Sequence, residues 1–291
     1  MSNSSKNLAT IALALALATT PSLQAHDHLE AGTFSTIPGG PLALINDADY
    51  GADYGFAFNL GAGDPGSPYE GFYYMNDLVF VAQAATPDYG GPEPDAAGLG
   101  TVVFAQLLGI KGPAGSHLQF WETTQDGVDS TNLTWTVPIP LTGGTNLIQV
   151  TQTPPSPTSD PYGHLHGRIY SVDQPGFYVT TWRFVDLSTN GPGGGPVQAP
   201  SAPFDLFFQA DVTIAKLQKT STGADIIIAA PSNIPDSGIG PATNYTIEGS
   251  PTLGSSAVWT PIGQVIVGDD HVHTNSITLG SGAVFFRLEA N

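Results

Sequence analysis

The chain has 291 residues, of which 41% are apolar and only 11% charged, with 35 glycines, 25 prolines and no cysteine. Its formal net charge is −18, a balance that repels phosphate backbones and anionic lipids and excludes nucleic acid as an expected partner. Without cysteine there are no disulfides and no thiolate metal sites, so a transition metal must be held by histidine and carboxylate.

The N-terminus reads as an export signal. Lys6 precedes an apolar run over residues 9–19 that is too short to span a bilayer comfortably. Residues 21–25 (PSLQA) then end in small Ala25, as a cleavage site does. The expectation is a signal peptide over 1–25 and a protein secreted to the periplasm or cell surface of a bacterium. No transmembrane segment is expected after cleavage. The new start reads HDHLEAGTF, with His26 first. In an extended segment His26, His28 and Glu30 share one face.

Between residues 31 and 213, short apolar runs alternate with glycine- and proline-rich turns. That pattern predicts an all-β protein with almost no helix. Residues 77–82 (DLVFVA) read as a buried strand, and 101–110 (TVVFAQLLGI) as another. Asp47 and Asp49 lack the spacing of a twelve-residue calcium loop. Gly112-Pro113 marks a turn into a strand with His117, Gln119 and Trp121 on one side, and 132–140 (NLTWTVPIP) repeats the strand pattern. A polar loop over 151–162 leads to His164-Leu165-His166. On a strand, i and i+2 imidazoles stand roughly 6–7 Å apart on one face and can lean toward one metal. Pro175-Gly176 follows and predicts a hairpin with the histidine pair on its first strand.

Residues 191–203 read as a long loop, with 204–210 as the last strand of the main domain. A second domain is expected from about residue 214, with short strands near 225–229, 245–248, 258–262 and 284–288. The expected division is a signal peptide over 1–25, a β-sandwich-like metal-binding domain over 26–213, and a smaller C-terminal β-sandwich module over 214–291. The module resembles, loosely, the accessory modules of exported bacterial proteins.

Three pieces come in a particular order: His28-Leu29-Glu30, then Gly112-Pro113 before Phe120-Trp121, then His164-Leu165-His166 before Pro175-Gly176-Phe177-Tyr178. In this the region 26–212 resembles the surface-anchored, metal-transporter-associated repeat domain of actinobacterial cell-wall proteins and its zinc-regulated exported relatives. The resemblance implies an extracytoplasmic β-domain linked to zinc or manganese uptake, with an ABC transporter or surface receptor as partner. One departure is Gly167-Arg168-Ile169-Tyr170-Ser171, where that family has a Trp and a Phe.

Six of the seven histidines fall into three H-x-H pairs, 26/28, 164/166 and 271/273. Zinc takes about four N or O ligands when thiolate is absent. His28, Glu30, His164 and His166 supply four, with His117 as a substitute. Neither a G-x-S-x-G elbow nor an H-E-x-x-H helix is present. The first expectation is therefore a non-enzymatic zinc-binding protein for metal capture or storage. A second is a copper oxidase acting on polysaccharide, in which the amine and ring of a terminal His26 chelate copper with His117 or the 164/166 pair. A third is a structural or adhesive surface protein. The 271/273 pair reads as part of a hairpin turn behind Asp269-Asp270, a chance pair in preference to an exposed, weak metal site.

Overall fold

The computed structural model describes residues 27–35, 39–51, 55–76, 78–122, 132–152, 154–211, 214–230, 244–254, 257–278 and 285–290. The expected signal and His26 lie outside the described residues. The chain is nearly all β, with 53% strand and 4% helix, as its turn spacing predicts. None of the described helices is long and apolar enough to cross a membrane.

The first part of the chain runs β1 (Asp27–Gly32), β2 (Ala43–Leu44), β3 (Ala57–Ala62), β4 (Tyr73–Met75), β5 (Leu78–Ala82), β6 (Val103–Lys111), β7 (His117–Glu122), β8 (Asn132–Pro138), β9 (Leu141–Gln149), β10 (Gly163–His164), β11 (Arg168–Val172), β12 (Gly176–Asp186) and β13 (Phe204–Ala210). The remainder runs β14 (Ile214–Lys219), β15 (Gly223–Ala230), β16 (Asn244–Ser250), β17 (Thr260–Pro261), β18 (Ile266–Val267), β19 (His271–Thr278) and β20 (Phe285–Ala290).

A nine-stranded sheet, β8-β7-β11-β4-β3-β13-β12-β6-β9, curls until its edge strands approach each other. A four-stranded sheet, β10-β5-β1-β2, packs on it. The contact is aromatic: Phe80 of β5 meets Trp182 and Phe184 of β12 at centroid distances of 5.4 and 5.9 Å. All three rings are buried, so each contributes roughly 1.5–3 kcal/mol of apolar transfer. β5 consists of apolar residues because it lies between β1 and β10 and faces the core with Leu78, Phe80 and Ala82.

The hairpin expected at Pro175-Gly176 does not form. β11 pairs with β4 and β7, whereas β12 pairs with β13 and β6. The turn instead carries the chain between separate places in the large sheet. A Cβ on Gly176, whose φ is +151°, would meet Pro113 Cγ at 2.4 Å, and one on Gly112 would meet the Tyr178 ring at 2.4 Å. The Gly-Pro and Pro-Gly-x-Tyr pieces of the sequence thus pack directly on each other.

Asp186 ties three loops together. Its buried carboxylate accepts hydrogen bonds from the amides of Val102 (2.9 Å), Ser188 (2.8 Å), Val197 (2.6 Å) and Gln198 (3.0 Å), and from the Ser188 hydroxyl (3.0 Å).

After residue 214 the chain builds two small sheets, β14-β15-β19 and β17-β16-β18 with β20 on β16. Ile226, Ile228, Tyr245, Ile247 and Ile266 form a core cluster distinct from the main one. A short ladder joins the two parts: Ala57 N–H donates to Asp270 O and Val272 N–H to Gly55 O, both at 2.7 Å.

Candidate metal centre

The alternation in β1 sends Leu29 and Ala31 into the core and leaves His28 and Glu30 half-buried on the other face. β1 runs parallel to β5, with His28 opposite Val79 and Glu30 opposite Val81. β10 lies on the far side of β5, antiparallel, with His164 also opposite Val81. His28, Glu30 and His164 therefore stand on one face of one sheet, with β5 between the first two and the third. Valines leave room above the middle strand, and the two imidazoles lean across it.

The result is a close approach of ring nitrogens: His28 Nε2 and His164 Nε2 are 3.0 Å apart, with ring planes at 88°. Two nitrogens on one tetrahedral zinc at about 2.0–2.1 Å would be separated by about 3.4 Å. The pair needs only a few tenths of an ångström of opening to accept a metal. At 3.0 Å the two nitrogens are also within hydrogen-bond distance, one as N–H donor and the other as acceptor according to tautomer.

His166 lies just past β10 rather than on it. Its exposed ring stands 4.3 Å from that of His164, centroid to centroid, and Gly167 at φ +75° turns the chain away behind it. The expected in-strand clamp of 164 and 166 is thus a strand end followed by a turn. Glu30 holds a different partner: its Oε2 accepts a 2.9 Å hydrogen bond from Gln83 Nε2. Among the described residues, no three side chains of metal-ligating type are placed as a preformed metal-binding group. The arrangement is a two-ring clamp, with His166 and Glu30 beside it.

Asn46 sets the position of β1. Its Nδ2 donates to His28 O at 2.7 Å and its Oδ1 accepts from Glu30 N–H at 3.0 Å. The side chain continues the ladder where β2 ends, and so holds the two candidate ligands in register. Sequence reasoning missed Asn46 and Gln83. Both are ordinary polar residues in turns or at strand ends, and only their placement gives them a role.

His117 is held elsewhere. The Asp173 carboxylate accepts from its backbone N–H at 2.7 Å and meets its Nδ1 at 2.7 Å. Leu118 pairs with Val172 at one end of β11, whereas His166 precedes Arg168 at the other end. Five strand residues separate the two ends, about 16 Å. His271 and His273 lie on β19, paired with β15, rather than in the expected turn, and face Asp269: His273 Nε2 meets its Oδ1 at 2.8 Å and His271 Nδ1 its backbone oxygen at 2.6 Å. The structure brings His28, His164, His166 and Glu30 to one neighbourhood and leaves His117, His271 and His273 outside it.

No family model, curated protein or solved structure matches the chain.

Proposed function

We propose that this is an exported zinc-binding protein that captures or stores the metal outside the cytoplasm and passes it to a zinc or manganese transporter or a surface receptor. The observation that carries the reading is the 3.0 Å approach of His28 and His164, 136 residues apart in sequence, on the open face of the small sheet. His166 and Glu30 complete the set: a turn of the His166 ring, and exchange of Gln83 for metal at Glu30, bring four N and O donors to one ion. A shell of four protein ligands leaves no open position for substrate, which favours binding over hydrolysis. The net charge of −18 attracts cations to the surface.

Calorimetric zinc titration of the metal-stripped full chain tests this. One tight equivalent is expected, lost in the H164A/H166A double variant and retained in H271A/H273A. Equal tight binding by the parent and the 164/166 variant would overturn the assignment.

A further inference from the structure

We propose a second binding site, for an anionic amphiphile: an unbranched alkyl chain ending in a carboxylate, held in the cleft between the large sheet and the C-terminal sheet. Along β12, Tyr178 and Trp182 enter the core while Phe177 and Val179 face outward. Phe207 of β13 also faces outward and packs on Phe177 at 5.0 Å. An outward sheet face ordinarily carries polar side chains, as this one does at Thr181, Arg183 and Asp205, but its part at Phe177, Val179 and Phe207 is apolar. The opposite wall repeats the pattern, because Ile227 of β15 points away from Ile226 and Ile228, which fill their own core.

Between these walls lies a cleft of about 900 Å³, within the roughly 300–1,000 Å³ range of small-molecule sites, which favour junctions of this kind. Its head-group chemistry comes from Lys111 on β6 and Lys216 on β14, one on each wall. The chain holds seven Lys and Arg residues in all, so two ammonium groups at one apolar trough is a concentration of scarce charge. Arg168 and Arg287 are paired with Glu122 and Glu248, but neither of these lysines is in an ion pair among the described residues. Long lysine stems lie along apolar walls while their ammonium groups stay at the rim. A carboxylate is repelled by the acidic surface elsewhere and attracted here, and its alkyl tail covers the aromatic floor. The packed turns at Pro113 and Gly176 line the same cleft.

The test is calorimetric titration of the full chain with sodium dodecanoate below its micellar concentration, in low salt. We expect one equivalent to bind, and decanoate to bind roughly tenfold more weakly because two methylenes are lost. Dodecyltrimethylammonium, with the same tail and the opposite charge, should bind more weakly than dodecanoate and should not displace it. K111E/K216E should weaken dodecanoate at least tenfold and leave the zinc titration unchanged. K111Q/K216Q, which adds no repulsion, should weaken it less and decides the matter if the glutamate variant does not fold. Absence of dodecanoate binding, equal binding by parent and both lysine variants, or equal binding of the cationic amphiphile would each overturn the proposal.

Discussion

His28 and His164 belong to strands that do not touch, yet their Nε2 atoms stand 3.0 Å apart over the strand between them. Both strands pair only with β5 at this point, so a metal held by the two rings would staple β1 to β10. Two consequences follow for binding and for stability. H28A alone should lower zinc affinity roughly a hundredfold, because deleting one arm of the clamp leaves a single ring facing the ion. At free zinc a hundredfold above Kd, the unfolding free energy should rise by about 2.7 kcal/mol and return to the apo value with chelator. Binding should also weaken on acidification, since protons compete for the imidazole nitrogens. Urea denaturation with and without zinc, for parent and H28A, measures both effects. An H28A variant stabilised by zinc as much as the parent would rule out the clamp.

Asn46 and Gln83 act through their neighbours. Asn46 positions β1 by hydrogen bonds on either side of Leu29, and Gln83 orients Glu30. Outer-shell changes of this kind cost about 10–100-fold in metal affinity. N46A should therefore weaken zinc binding by about tenfold, with little change in stoichiometry. Q83A should do less, because it frees the carboxylate as well as disordering it. Competition titration against a chelator of known affinity distinguishes these outcomes from the near-total loss expected for His164.

Asp186 gathers five donors in a buried site. D186A removes an acceptor from four backbone N–H groups, of which Val197 keeps a longer contact to Ser188 Oγ at 3.3 Å; each one left unsatisfied costs about 1–3 kcal/mol. Allowing for entry of water, the expected loss is about 3–5 kcal/mol, with the three loops at 98–102, 186–188 and 197–198 released together. Chemical denaturation gives the magnitude, and hydrogen exchange of the Val102, Val197 and Gln198 amides gives the location. D186N, which retains one acceptor oxygen, should lose less.

Burial raises the phenols of several tyrosines, among them Tyr50, Tyr170, Tyr178 and Tyr245. Burial pushes the Tyr178 phenol up to about 12, with the Asp173 carboxylate adding to the effect and Ser116 opposing it. Burial and Asp270 push Tyr245 up to about 12. The folded state holds these protons more tightly than the unfolded chain, whose phenols titrate near 10. Their stabilisation is complete below about pH 10 and disappears as pH rises through about 12, by roughly 1–2 kcal/mol for each tyrosine. Phenolate absorbance should therefore show late-titrating groups, and the denaturation midpoint should fall over the same interval. In Y178F/Y245F, part of that fall should vanish.

The two core clusters make a further expectation. Ile228 is fully buried in the C-terminal cluster and absent from the main one. I228A should remove about 2–5 kcal/mol from that part and leave zinc affinity at His28 and His164 unchanged. A two-step melt in the variant, with tight zinc binding retained after the first step, is the predicted result. Loss of zinc binding together with the first step would mean that the cores unfold as one.

Much of the fold was legible in the chain itself. Period-2 alternation in residues 204–210, where Leu206 and Phe208 are buried and Phe207 is not, yields that strand to the residue. Frequent glycine and proline excluded long helices. The same local reading placed His28 and Glu30 on one face, because alternation within a strand depends only on the pleat. It failed at Pro175-Gly176, because a turn signal does not determine whether the strands on either side pair with each other. Here β11 pairs with β7, Tyr170 opposite Phe120, and β12 with β6, Trp182 opposite Leu107 and Phe184 opposite Ala105. The meeting of His28 with His164, the exclusion of His117 to the far end of β11, and the roles of Asn46 and Gln83 were decided by tertiary structure alone. The first depends on which strands lie on either side of β5, the second on the pairing of β7 with β11, and the last on contacts between residues far apart in the chain; local alternation encodes none of these.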